Sequence, residues 1–109
     1  MLRIDSFIKE SARVSGIGSV TMGRKIMRPV TLSDGTRAPK GGPHSNQLMG
    51  VHLYENPEKF DPWRFSRGVE AGESAVKHAF TTASSDFLFW GGGSHMCAGR
   101  YFASQELKA

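Results

Sequence analysis

In the stretch LRIDSFIKESARV the apolar residues Leu2, Ile4, Phe7, Ile8 and Ala12 recur at three- and four-residue steps, the period of an amphipathic helix. The spacing predicts a helix with that stripe turned to a core, ending at Ser15 and Gly16. From Arg24 to Gly41 the pattern alternates and is rich in Val, Ile and Thr, with Asp34-Gly35 as a hairpin turn. Pro29 and Pro39 restrict these strands to short lengths or to an edge. Residues 41–56 keep no clean period and read as a loop or a distorted strand. The segment PEKFDPWRFS (57–66) reads as irregular and non-helical, pinned by burial of Phe60, Trp63 and Phe65. Residues 67–85 are polar and read as an exposed connection. After Gly91–Gly93, AGRYFASQELKA has good helix propensity, with Tyr101, Phe102 and Leu107 as its expected buried residues.

At 109 residues the chain holds at most one small domain. A hydrophobic share of 39% with 13 glycines and 5 prolines describes a loop-rich chain rather than one with a large core of its own. Helical patterns run close to both ends, as expected of a partial domain spanning 1–109. The net charge of +4 and pI near 9.6 suit an acidic partner, nucleic acid or anionic lipid. The charge is spread along the sequence, however, and no basic run exceeds Arg24-Lys25, which argues against nucleic acid. A single cysteine makes no internal disulfide. No apolar run reaches the roughly 20 residues of a membrane span, and the N-terminus does not read as a signal peptide.

That cysteine, Cys97, stands in FWGGGSHMCAGRYF (89–102). A phosphate loop is excluded because Gly99 is followed by Arg100 and Tyr101. A dinucleotide loop fails because Gly91 and Gly93 fit but Met96 takes the third glycine's place. A zinc site needs about four ligands; His95 and Cys97 are close, whereas His44, His52 and His78 follow no ligand spacing. A thiol near a helix N-terminus can be activated as a nucleophile, yet His95, two residues away in a tight loop, is poorly placed as its base. From the residues alone, a buried structural thiol is the favoured reading.

Three ordered motifs change it. WGGGSHMCAGR resembles the heme-binding loop F-G-x-G-x-x-x-C-x-G of the cytochrome P-450 family, with Gly91, Gly93, Cys97 and Gly99 in register and Trp90 where the family usually has Phe. ESAR resembles its E-x-x-R pair, Glu10 and Arg13, and FDPWRF its F-x-P-x-R-F segment, with Arg64 as third member of a Glu-Arg-Arg network. DGTRAPKG resembles the hairpin between them, and Ala103 with ELK at 106–108 resembles the following helix, especially in fungal members.

The resemblance implies an α+β stretch of the mainly α cytochrome P-450 fold: E-x-x-R helix, short hairpin, irregular meander, cysteine loop and the start of the next helix. It implies heme as cofactor, with Cys97 as the axial thiolate that pushes electron density onto the iron and favours O–O cleavage. Trp90, Gly91, Gly93 and Gly99 would lie against the porphyrin, Trp90 stacking beside it. His95 would reach a propionate, and Arg24 is a second candidate for that role, a solvated strand arginine being the alternative. Glu10, Arg13 and Arg64 would form a structural network, not a catalytic one. The implied reaction is oxygen insertion into a small organic substrate with electrons from an NADPH-dependent reductase, at the endoplasmic reticulum membrane. Without an anchor in these residues, a cytoplasmic chain is the alternative.

The pattern departs from the family in several places. The A/G-G-x-D/E-T and W-x-x-x-R strings are absent, and 41–56 is a few residues short and lacks an expected Asp. The 109 residues alone are therefore expected to be inactive. The other readings are a non-catalytic heme-binding or interaction protein, and a basic module whose glycine loop recognises an anion.

Overall fold

The first helix, α1 (Leu2–Ser15), buries Ser6, Lys9, Glu10 and Arg13, four polar residues at i, i+3, i+4 and i+7. This inverts the expected stripe: Leu2, Ile4 and Phe7 are exposed, while Ile8 and Ala12 pack part-buried on the core. The helix ends as expected, with Gly16 at a positive φ of 58° and its N–H bonded to the Ala12 carbonyl. The computed structural model describes residues 1–16, 20–47 and 53–109, with backbone alone at 20–22 and 44–47.

Burying a polar stripe is tolerable only if each group finds a partner. Ser6 Oγ donates to the Pro62 carbonyl at 2.8 Å and accepts the N–H groups of Phe65 and Ser66 at 3.2 and 3.1 Å. It thereby caps the second helix, α2 (Arg64–Glu70), whose own N-cap residue Trp63 supplies no side-chain cap. Glu10, 0% exposed, takes Arg13 in a bidentate pair at 2.8 and 2.9 Å, the Asp61 N–H at 2.9 Å, and Arg64 Nε at 3.1 and 3.2 Å. The remaining nitrogens of Arg64 donate to the carbonyls of Glu55, Asn56 and Lys59. One guanidinium therefore supplies the hydrogen bonds that an irregular backbone cannot make with itself. Both arginines also lie against the Tyr54 ring, at 5.3 and 5.7 Å. The Tyr54 hydroxyl donates to the Asp86 carbonyl.

The aromatic core lies beside this polar seam. Phe80 (0% exposed), Phe87 and Trp90 form its centre, with Phe89, Met96 and Ala103 part-buried around them, and Phe65 meets Phe87 edge-on. Residues 67–85 are thus not simply an exposed connection. They hold the rest of α2, a short helix α3 (Ala75–His78) and the most deeply buried aromatic residue of the core. Asp5 accepts the Phe80 N–H at 2.7 Å, tying that segment to α1. Gly68 lets the His78 ring lie on α2, since a Cβ there would come within 2.6 Å of Nε2.

Aromatic content alone overstated burial elsewhere. Of Phe60, Trp63 and Phe65 only Phe65 is buried; Trp63 is 44% exposed with Arg3 over its ring, and Phe60 packs edge-on against Phe7 at the surface. Likewise the last helix, α4 (Arg100–Glu106), buries Ser104, whereas Tyr101, Phe102 and Leu107 are exposed, Phe102 to 72%. Its small residues, Ala103 and Ser104, are the ones that approach the core closely.

Between α1 and the meander lies a nested pair of hairpins. Strands β1 (Val20–Lys25) and β4 (Pro43–Gln47) pair antiparallel, Arg24 opposite His44, with a register shift between Thr21 and Arg24. Residues 43–47, read as loop or distorted strand, thus pair with β1; residues 48–52, with His52, lie outside the described residues. Inside sit the two-residue strands β2 (Val30–Thr31) and β3 (Arg37–Ala38). Their turn is closed by Asp34, whose carboxylate accepts the Thr36 N–H at 2.9 Å, and by Gly35 at φ 87°. Pro29 and Pro39 flank them, which accounts for their length.

The Glu10 junction sets an acid limit on stability. Burial pushes its carboxyl up, but hydrogen bonds from Arg13, the Asp61 N–H and Arg64 more than offset this and hold it below the ordinary 4.5. The stabilisation is therefore present above that ordinary value and is lost as pH falls through the lowered folded value. Glu10→Gln should cost about 3–5 kcal/mol near neutrality, the usual loss when a buried pair is broken. In urea unfolding from about pH 7 to about pH 3, the gap between parent and variant should close as pH falls; a gap of constant size would show that the carboxylate charge does not matter.

Candidate functional site

The cysteine loop is anchored at both ends by the core. Trp90 donates from Nε1 to the Phe80 carbonyl at 2.6 Å, and its ring lies 4.8 Å from both Phe80 and Phe89. Its own carbonyl accepts the Cys97 N–H at 2.8 Å, which closes residues 90–97 into a loop. The Trp90 contacts described here are those of a core residue that carries the loop.

Within the loop, Gly91 has φ 78° and Gly93 φ 63°, with Gly92 extended between them. Side-chain-bearing residues rarely adopt that alternation, so the backbone conformation at Gly91 and Gly93, rather than any lack of space, calls for glycine. Residues Gly93–His95 then make one 3₁₀ turn, leaving His95 exposed. Gly99 precedes α4, and a Cβ there would stand 4.0 Å from Cys97 Sγ. Arg100, which sequence reasoning passed over, donates to the Cys97 carbonyl at 3.0 Å and stacks on Tyr101; a cation three residues after a loop cysteine was the only signal for it.

Cys97 itself is a free, exposed thiol, not the buried one that composition alone favours. Among the described residues no three His, Cys, Asp or Glu side chains cluster to hold a metal ion, so a metal site built from protein ligands alone is not formed there. A single exposed sulfur behind three consecutive glycines instead fits a metal whose other ligands come from a planar macrocycle. The residues present fit heme.

The structure gathers Trp90, Gly91, Gly93, His95, Cys97 and Gly99 on one loop, and Glu10, Arg13 and Arg64 on one carboxylate. The two groups meet through the aromatic core, Arg64 leading into Phe65 and Phe65 touching Phe87. Arg24 stands apart on β1, exposed, donating to the Gly23 carbonyl at 2.9 Å. It belongs to an arm that carries Arg24, Lys25, Arg28, Arg37 and Lys40 against Asp34 alone, so basic charge that is dispersed in sequence is local to this hairpin. Among the described residues no helix is long and apolar enough to cross a membrane.

Comparison with known proteins agrees with this geometry. Residues 1–109 match the family model Cytochrome P450. Cytochrome P450 monooxygenase 103 of Postia placenta is 42% identical over 113 residues, covering 100% of this chain and 23% of that protein. Cytochrome P450 monooxygenase CYP512U6 of Ganoderma lucidum is 41% identical over 113 residues, covering 100% of this chain and 22% of the relative. Among solved structures, retinoic acid-bound cyanobacterial CYP120A1 superposes with a TM-score of 0.73 at 28% identity, over 99% of this chain and 24% of that one. The chain spans less than a quarter of the length of these curated relatives. A family match from end to end, shared fold, and a glycine-shaped loop presenting a lone thiol assign this chain to the cytochrome P450 family, whose two fungal members above are monooxygenases.

Proposed function

We propose that the chain supplies the thiolate side of a heme monooxygenase site, with Cys97 as the residue that would hold the iron. The observation that carries this reading is the exposed, unpaired thiol on a loop held by the Cys97 N–H to Trp90 carbonyl bond. Gly91, Gly93 and Gly99 keep Cβ atoms away from the face that a porphyrin would cover. Trp90 fixes the loop to the core and would flank the cofactor, while His95 and Arg24 would serve as cationic or hydrogen-bonding partners for its propionates. Arg100 holds the Cys97 carbonyl and so limits rotation of the ligand's backbone. Glu10, Arg13 and Arg64 do no chemistry; they brace the meander on which the core and then the loop rest. When bound, thiolate-ligated heme supplies oxygen activation.

The whole protein's reaction is proposed to be insertion of one oxygen atom of O₂ into a small organic substrate, with electrons from an NADPH-dependent reductase. Kinship with fungal members supports location at the endoplasmic reticulum membrane. The 109 residues alone offer one face of such a site, and we infer that they bind heme without turning over substrate.

The chain reconstituted with hemin, reduced and exposed to carbon monoxide should give the strongly red-shifted Soret band of thiolate-ligated heme. Cys97→Ser should abolish that band; an unchanged band in the variant would remove Cys97 as ligand. His95→Ala should keep the band but weaken hemin affinity about threefold to tenfold, the worth of one hydrogen bond of about 1 kcal/mol. Unchanged affinity would remove His95 from the propionate contacts.

A further inference from the structure

Lys9 is a cation that the loop chemistry leaves unused. It is 2% exposed, and its Nζ lies 4.5 Å from the Phe65 ring and 4.8 Å from the Phe87 ring. An ammonium has three donors, and among the described residues the one acceptor for this group is the Ala79 carbonyl at 3.3 Å. The residue lines a cleft of about 220 Å³ that also takes in Tyr54, Ser84 and Asp86. The other lysines differ: Lys25, Lys40, Lys59 and Lys77 are exposed, and Lys108 is ion-paired with Asp5.

We propose that Lys9 is a covalent docking point for small aldehydes, its amine forming an imine inside this cleft. The amine nitrogen bonds to the carbonyl carbon, and the carbonyl oxygen leaves as water. Overall, an ammonium and an aldehyde become a protonated imine and one water, with charge conserved and no oxidant or reductant required.

Three features favour this electrophile. First, attack needs the neutral amine, and burial lowers the Lys9 pKa to about 8 despite the opposing charges of Asp86 and Asp5, so a useful fraction is free near neutral pH. Second, the protonated imine remains a cation. It keeps both ring faces and the nearby carboxylates as partners, whereas an amide or carbamate would discard them. Third, a residue this buried is closed to a modifying enzyme, and the cleft admits only a small molecule; its aromatic walls favour a short aliphatic or aromatic one. Arg64, Glu73, Lys77 and His78 complete the polar lining. Glu73 is engaged by Lys77 and His78, and Asp86 forms no ion pair among the described residues, which leaves it the carboxylate available to the new cation.

The site does not depend on heme and is tested without it. The full 109-residue chain is treated with butanal and cyanoborohydride, which traps imines as secondary amines, and labelled peptides are followed by mass spectrometry. Lys9 should label about tenfold or more faster than Lys25 or Lys59, with a rate rising through pH of about 8, and the preference should vanish in denaturant. Lys9→Arg should remove the fast-labelling peptide and leave the slow ones unchanged. Labelling of Lys9 no faster than the surface lysines in native buffer, or an unchanged fast peptide in Lys9→Arg, would overturn the assignment.

Discussion

One carboxylate, that of Glu10, joins the first helix to the meander 50 residues away. A fully buried charge is costly unless it is paired and hydrogen-bonded, and here Arg13, Arg64 and the Asp61 N–H meet that demand together. The sharing gives the junction its reach. Arg13 belongs to α1 itself, but Arg64 carries the bond onward to three backbone carbonyls of a segment with no ladder of its own. Ser6 adds a second tie by capping α2 from the neighbouring helix. The irregular path of residues 55–63 is therefore tied by side-chain hydrogen bonds rather than by a backbone ladder.

Order passes from this seam to the cysteine through packing. Arg64 opens α2, Phe65 follows it into the core, and the rings of Phe87, Phe80 and Trp90 continue in contact. Trp90 then holds the Cys97 backbone by its carbonyl. Side chains fix both ends of the loop, while glycines shape its middle. That combination gives the loop a fixed position and leaves the Cys97 thiol exposed.

Much of this was legible in the residues. The ESAR and FDPWRF strings pointed to a charge network, the glycine run before Cys97 to a loop of unusual backbone, and Asp34-Gly35 to a turn. What misled was hydrophobic periodicity taken as a guide to burial. Ile4 and Phe7 repeat at helical spacing yet lie exposed, as does Leu2, because the inner face of α1 is reserved for Ser6, Lys9, Glu10 and Arg13. Those four form their own helical stripe, invisible to a rule that scores only apolar residues. Arg13 pairs locally with Glu10, but Ser6, Lys9 and Glu10 depend on partners 51 to 70 positions away, which no local pattern reveals. Phe80 was overlooked for a related reason: its polar sequence neighbours suggested solvent, while Asp5 and Trp90 hold its backbone inside.

If the shared carboxylate is what binds helix to meander, Glu10 and Arg64 must act as one energetic unit although they lie 54 residues apart. A double-mutant cycle with Glu10→Gln, Arg64→Met and the combined variant, followed by urea unfolding near neutral pH, measures this directly. The predicted coupling is about 1–3 kcal/mol, as for residues in one buried network. Additive losses, agreeing within about 0.5 kcal/mol, would contradict the account.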